Sequence, residues 1–135
     1  MILGNLAAER ENCELIANVG CISPLVSLLI YGSDNGKKES SGTLWNLSKG
    51  SLEIKGRIAD EGAIPPLVEL MRTGSSGSRL YASGTIASLA NNSNNCLLIA
   101  EAGGISALIE MLYQYTSSSL KYTIYYMVYI YLYIY

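Results

Sequence analysis

A thirteen-residue motif that occurs three times is the sequence feature that most constrains the fold of this chain. Its copies occupy residues 16–28, 58–70 and 99–111, and the middle copy reads Ile-Ala-Asp-Glu-Gly-Ala-Ile-Pro-Pro-Leu-Val-Glu-Leu. The starts of successive copies are separated by 42 and then 41 residues. A repeat of this length predicts a solenoid, in which each unit packs against its neighbours.

The motif reads as a joint between two helices. Gly62 should end the first helix, because glycine enters the left-handed conformation without a steric penalty. Pro65 and Pro66 fit the first turn of the next helix, where a missing N–H would have had no helical partner. The apolar residues that follow keep the spacing of one buried helical face. Gly74 should end this second helix, as Gly32 ends its counterpart.

A longer third helix completes each unit, so the chain is predicted to be all-α. The expected helices span approximately residues 11–18, 23–31, 37–49, 52–60, 65–73, 78–91, 95–102 and 105–113. This pattern predicts the end of a truncated preceding repeat at residues 1–8, two full repeats at 9–50 and 51–92, and a partial repeat at 93–121.

The repeat pattern is lost towards the C-terminus. Tyr115 stands where a glycine stop is expected, and Tyr125 stands where the repeat period would place a small residue. Residues 122–135 are predicted to be a degenerate tail rich in tyrosine and isoleucine, either selected or an artefact of gene annotation. The tail is shorter than the roughly 20 residues of a membrane-spanning helix, so a membrane partner is disfavoured.

Composition disfavours several functional classes. Nine basic and eleven acidic side chains give a formal charge of -2, with no basic block that would bind a phosphate backbone. Nucleic acid is therefore not expected as a partner. The chain contains no histidine, the commonest general base and a usual zinc ligand. We expect no enzymatic activity, no small-molecule substrate, no cofactor and no metal.

The three cysteines indicate a reducing compartment. Their odd number and the absence of a secretory leader predict a cytoplasmic or nuclear location. Cys13 and Cys96 occupy the same slot two repeats apart, which places them beyond disulfide reach. Cys21 is interpreted as a small buried residue.

The glycine joint, followed in the third helix by Leu44-Trp45-Asn46-Leu47, resembles the armadillo repeat, the unit of beta-catenin, the importin-alpha receptors and vacuolar armadillo adaptors. The resemblance covers residues 1 to about 113 and amounts to a fragment of about three repeats. It implies a right-handed superhelix whose third helices line a concave groove that binds an extended peptide.

The resemblance also suggests which residues would line that groove. In the family, an asparagine near the end of the third helix holds the peptide main chain; Asn5 and Asn46 match it, while the third repeat position carries Ser88. Helical spacing places further residues on the same face. These candidates are Glu39, Thr43, Tyr81, Thr85 and Asn92, and Gly42 and Gly84 share the face with them. Trp45 is interpreted as a packing residue between repeats.

Two functions follow from these patterns. The first is a non-catalytic scaffold that binds a protein segment in the groove. The alternative is the substrate-recognition tail of a larger protein, such as an armadillo-type ubiquitin ligase. An importin-alpha receptor is disfavoured, because Met1, Gly42 and Gly84 replace the tryptophans that such receptors carry. An enzyme built on Asp60, Glu61 and Cys96 is also disfavoured, because adjacent helical residues point to different faces.

Overall fold

The computed structural model describes residues 2–115 of the chain, and α-helices cover most of that span. The helices are α1 (Ile2–Ala7), α2 (Arg10–Asn18), α3 (Ile22–Tyr31), α4 (Asp34–Leu47), α5 (Leu52–Asp60), α6 (Ile64–Thr73), α7 (Ser76–Leu89), α8 (Ser93–Glu101) and α9 (Gly104–Tyr115). Residues 2–115 contain no strand. The predicted tail at 122–135 lies outside the described residues, as do Met1 and Tyr125.

The helices form a stack of repeated units. Two triplets, α2–α4 and α5–α7, follow α1 and precede the pair α8–α9. Third helices pack side by side, with α4 between α1 and α7. Second helices do the same, with α6 between α3 and α9, and α5 packs on α8. The predicted all-α repeat fold is confirmed.

One apolar core runs through the stack. Its largest fully buried side chains come from five helices, α3 to α7: Leu29, Leu44, Leu47, Ile54, Ile58, Ile64, Leu67, Val68, Met71, Ile86 and Leu89. Each buried side chain of this size contributes roughly 1.5 to 3 kcal/mol relative to an exposed one. Packing of this face, more than helix propensity, therefore stabilises the short helices.

The glycine joints have the predicted left-handed backbone. Gly20, Gly62 and Gly103 have φ values of 83°, 83° and 81°. The Gly62 N–H donates to the carbonyl of Ala59 at 2.9 Å, and the Ala63 N–H donates to that of Ile58 at 3.4 Å. These two bonds form the Schellman motif that satisfies carbonyls at a helix end.

Gly32 and Gly74 end α3 and α6 as predicted, but for a different reason. Their φ values of -71° and -74° suit any residue. A Cβ at Gly32 would lie 2.3 Å from the Leu28 carbonyl oxygen, and one at Gly74 would lie 2.6 Å from that of Leu70. Lack of space therefore requires glycine here. Helix α9 continues through Tyr115, where this glycine is missing.

The third helices begin earlier than the sequence predicted. The Ser33 hydroxyl accepts a hydrogen bond from the Gly36 N–H at 3.2 Å, and the Ser75 hydroxyl accepts one from the Ser78 N–H at 3.3 Å. Such caps satisfy N–H groups that have no partner within the helix. Residues just before the expected third helices therefore form the first turns of α4 and α7, and both helices end two residues before their predicted ends.

All three cysteines are free, in agreement with the prediction that Cys13 and Cys96 cannot pair. Cys13 is buried and Cys96 is exposed. Cys21 is only partly buried, which corrects the prediction, and its Sγ lies 3.1 Å from the Ile16 carbonyl oxygen. Burial raises the pKa of the Cys13 and Cys21 thiols above the usual value.

Over residues 2–115, no single helix is long and apolar enough to cross a membrane. Two pairs of consecutive helices reach the required length and composition only when taken together, α2 with α3 and α8 with α9, and these pairs are bent by 87° and 73°.

Candidate functional site

The third helices α1, α4 and α7 share an open depression of about 290 Å³, which we call the α4 groove. Its lining residues are Gly4, Asn5, Glu39, Gly42, Trp45, Asn46 and Tyr81. Four of the predicted groove residues therefore lie together: Asn5, Asn46, Glu39 and Tyr81. The structure places these four side chains on one surface, and their role in binding stays a prediction.

Asn46 is half-buried in the α4 groove and held at both ends of its carboxamide. Its Nδ2 donates to the Gly4 carbonyl at 3.0 Å, which ties α4 to α1. Its Oδ1 accepts from the Lys49 ammonium at 2.9 Å. A carboxamide has two N–H donors and two acceptor lone pairs. Asn46 is therefore oriented by the protein and retains one donor and one acceptor for a ligand.

Trp45 packs between repeats, as predicted, and also lines the groove, which the sequence analysis missed. A Cβ at Gly84 would lie 2.6 Å from Trp45 Cε2, so the indole lies directly on the α7 backbone. The Trp45 and Tyr81 ring centroids are 6.0 Å apart with an angle of 50° between the planes. The two rings together give the α4 groove an aromatic wall.

Tyr81 belongs to α7 but lies against α4. A Cβ at Gly42 would approach the Tyr81 ring to 3.2 Å. Glycine at this position therefore lets an aromatic ring of the next repeat lie close to the α4 backbone. Glu39, one turn earlier on α4, is half-buried and places a carboxyl group at the same depression.

Thr43 and Thr85, predicted to face the groove, are buried instead, with exposures of 1% and 0%. The Thr43 hydroxyl donates to the Glu39 carbonyl at 2.9 Å within α4. The Thr85 hydroxyl lies 2.7 Å from the Tyr81 carbonyl and 3.1 Å from the Ser41 carbonyl of α4. Both side chains thus lie between packed helices, where a ligand in the groove does not reach them.

Ser88 and Asn92, the remaining predicted residues, connect repeats and do not line the α4 groove. The Ser88 hydroxyl donates to the Ser48 carbonyl at 3.0 Å. Asn92 Nδ2 donates to the Leu52 carbonyl at 3.2 Å. Asn92 Oδ1 accepts from the Asn94 N–H at 3.1 Å, so this residue is the N-cap of α8 and not a continuation of α7.

The buried carboxamide of Asn95, which packs against the end of α7, was not predicted. Asn95 is 2% exposed, and its Nδ2 lies 3.1 Å from the carbonyl oxygens of both Lys55 and Leu89. The bond to Leu89 satisfies a carbonyl at the end of α7, and the bond to Lys55 connects α8 to α5. The sequence signal was present, because Asn12 occupies the same repeat slot and donates to the equivalent carbonyl, that of Leu6, at 3.1 Å.

The residues of the disfavoured enzyme hypothesis are not joined in one pocket. Asp60 and Glu61 line a depression with Arg57 at the joint between repeats, and Cys96 does not line it. Among the residues described, no group of three or more histidine, cysteine or acidic side chains could hold a metal ion.

Comparison with known proteins gives the family of this fold. The profile of the Armadillo/beta-catenin-like repeat matches residues 9–49. The structure also matches a computationally designed armadillo repeat protein for modular peptide recognition, with a TM-score of 0.76 at 29% sequence identity over 82% of this chain. Residues 9–49 are therefore an armadillo repeat, and the described part of the chain has the armadillo repeat fold.

Other solved armadillo structures match over a similar range. One designed armadillo repeat protein has a TM-score of 0.79 at 28% identity and covers 84% of this chain. Another, in complex with the peptide (KR)4, has a TM-score of 0.75 at 29% identity and covers 88%. This chain spans only 47%, 49% and 50% of the lengths of these three structures. No curated protein matches it.

Proposed function

We propose that this chain binds an extended segment of a partner protein along the α4 groove. The observation that supports the proposal is the hydrogen bonding of the Asn46 side chain. Its carboxamide is held by the Gly4 carbonyl and the Lys49 ammonium, and it keeps one donor and one acceptor in an open depression. One peptide unit offers a single C=O and a single N–H, which match those two free positions.

Main-chain recognition of this kind suits an extended ligand. The ligand C=O would accept from Asn46 Nδ2, and its N–H would donate to Oδ1. Packed helices are spaced by roughly 10 Å, and an extended chain rises roughly 3.3 Å per residue. Because successive peptide units of an extended chain face opposite sides, an even number of ligand residues, about two or four, would separate the carboxamide on α4 from that of Asn5 on α1. Asn5 is exposed and lines the same groove.

Ligand side chains would alternate between the groove and solvent. Those facing the groove meet the aromatic wall formed by Trp45 and Tyr81, whose rings are rigid and lose little freedom on contact. The main-chain bonds give affinity that depends little on ligand sequence, and the wall gives selectivity. The structurally similar designed protein in complex with (KR)4 supports peptide binding by this fold.

The proposal includes a non-catalytic role and a protein partner in the cytoplasm or nucleus. A nucleic acid is not expected as the ligand because the formal charge of the chain is -2. A small molecule is not expected because the α4 groove is an open surface between helices and not an enclosed cavity.

Substitution of Asn46 tests the proposed function. We expect Asn46→Ala to weaken binding of a short peptide in which serine alternates with leucine by about 1 to 3 kcal/mol, because it removes both main-chain hydrogen bonds. Fluorescence anisotropy with a labelled peptide measures the affinity, and circular dichroism checks that helicity is retained. Asn94→Ala, on the exposed surface of α8, is the matched control. Equal affinities in wild type and Asn46→Ala contradict the proposal.

A further inference from the structure

A lysine of the protein itself contacts two of the residues that line the α4 groove. The Lys49 ammonium lies 5.0 Å from the centroid of the Trp45 ring and 2.9 Å from Asn46 Oδ1. The Lys49 backbone N–H donates to the Asn46 carbonyl at 3.1 Å, which holds this residue in the turn after α4. A cation above an aromatic face within about 6 Å is attracted by the ring quadrupole.

We propose that Lys49 is a specificity-determining residue that excludes lysine and arginine of the ligand from the Trp45 ring. This inference rests on the proposed function and deepens it. The position above the indole where a cationic ligand side chain would be stabilised already holds a cation. A second cation placed there is repelled by Lys49 or must displace it from both the ring and Asn46 Oδ1. The groove therefore selects a ligand with an uncharged apolar side chain next to Trp45.

Comparison of the repeats shows that Trp45 and Lys49 occur together in one repeat. The positions equivalent to Trp45 are Gly4 and Ala87, and those equivalent to Lys49 are Ala8 and Asn91. The two neighbouring repeats thus lack both the ring and the cation. Lys49 is exposed, so its side chain is not needed to fill the core. Its two contacts are both with residues that line the α4 groove.

Two synthetic peptides and two sets of variants of the full chain test the inference. Serine alternates with leucine in one peptide and with lysine in the other. The ratio of the two dissociation constants is measured by fluorescence anisotropy for wild type, Lys49→Ala and Lys49→Gln. Lys37→Ala is the matched control, because it also removes one positive charge, but Lys37 lines a different surface, next to Pro66 and Glu69.

We expect wild type to prefer the leucine peptide, and both Lys49 variants to shift the ratio about five- to tenfold towards the lysine peptide, as the ring becomes available and the repulsion is removed. Lys37→Ala should leave the ratio unchanged. An unchanged ratio in Lys49→Ala, or weaker binding of the lysine peptide by that variant, overturns the inference.

The same measurements separate this inference from the proposed function. If wild type binds the leucine peptide and Asn46→Ala weakens it, the proposed function is supported whatever the ratio in the Lys49 variants. If neither peptide binds wild type or Lys49→Ala, both the proposed function and the inference are wrong.

Discussion

Helices α4 and α7 are equivalent parts of successive repeats, yet their exposed surfaces differ. Each has fourteen residues, a serine N-cap and a buried threonine that bonds a carbonyl one turn earlier. Towards its end, however, α4 carries Trp45 and Asn46, where α7 carries Ala87 and Ser88. Glycine, serine and threonine thus maintain the stacking of the repeats, while a few positions near the helix end determine which side chains line the α4 groove.

The largest expected effect concerns the residue of the following helix that packs against the end of each third helix. Asn95→Ala should lower the free energy of unfolding by about 2 kcal/mol, because the carbonyl oxygens of Lys55 and Leu89 lose a buried donor. The slot equivalent to Asn95 in the preceding repeat is Ile54, a fully buried apolar residue. Urea unfolding measures the effect, and the more exposed Asn12→Ala is the control, with an expected loss below about 1 kcal/mol. Equal losses would show that burial of the carboxamide is unimportant.

The two helices should also respond differently to an added methyl group. Gly84→Ala places a Cβ 2.6 Å from Trp45, whereas Gly42→Ala places one 3.2 Å from the Tyr81 ring. After allowance for the higher helix propensity of alanine, we expect Gly84→Ala to cost about 1 to 2 kcal/mol and Gly42→Ala to be nearly neutral. Urea unfolding of the two variants gives the difference directly. A neutral Gly84→Ala would mean that the indole moves aside without loss of packing.

A further substitution makes the surface of α7 more like that of α4. Ser88→Asn should tighten binding of the serine–leucine peptide about three- to fivefold, because it adds a carboxamide in register with Asn46. Anisotropy measures the affinity. Ser76→Asn, at the exposed start of the same helix, should have no effect. Unchanged affinity in Ser88→Asn would show that the ligand does not extend along α7 as far as residue 88.

The smallest expected effect separates the first helices of the two triplets. In the slot where α2 has the buried Cys13, α5 has Lys55, whose ammonium donates to the Gly50 carbonyl at 3.3 Å. Burial, with a smaller effect of Arg10, holds the pKa of Lys55 below its usual value. In the pH range between the folded and unfolded pKa values, the unfolded chain binds more protons. Stability therefore rises with pH in this range.

Lys55→Met should remove this rise, because methionine does not titrate. Urea unfolding at a series of pH values from neutral to about 10 measures the difference between wild type and variant. Lys37→Met is the control and should keep the wild-type slope. Parallel pH profiles for Lys55→Met and wild type would show that Lys55 titrates as it does in the unfolded chain.

The sequence predicted the joints better than the groove. Gly62 and its equivalents were identified because left-handed backbone strongly favours glycine. The same glycine also recurs in all three copies of the motif, which supports the assignment. The N-caps Ser33 and Ser75 could have been recognised but were left outside the expected helices, since serine and glycine are common both in turns and at helix starts. The helix ends were missed by two residues for a similar reason, because Lys49 and Asn91 give no stop signal of their own.

Groove residues were harder to predict because helical spacing does not distinguish two adjacent surfaces. Thr43 and Asn46 are three residues apart and share a face by that rule, yet Thr43 lies in the contact between helices and Asn46 lies at its edge. Only the packing of α1 and α7 against α4 determines that boundary. The dual position of Trp45, on Gly84 and in the groove, depends on the same packing.

The nearly equal φ values at Gly20, Gly62 and Gly103 have a consequence for the whole stack. Each joint turns the chain by a similar amount, so curvature accumulates from one unit to the next. A substitution at Gly62 that changed its φ value would therefore shift the helices that follow it relative to those that precede it. The spacing between successive third helices, and with it the register of the proposed ligand, would then change.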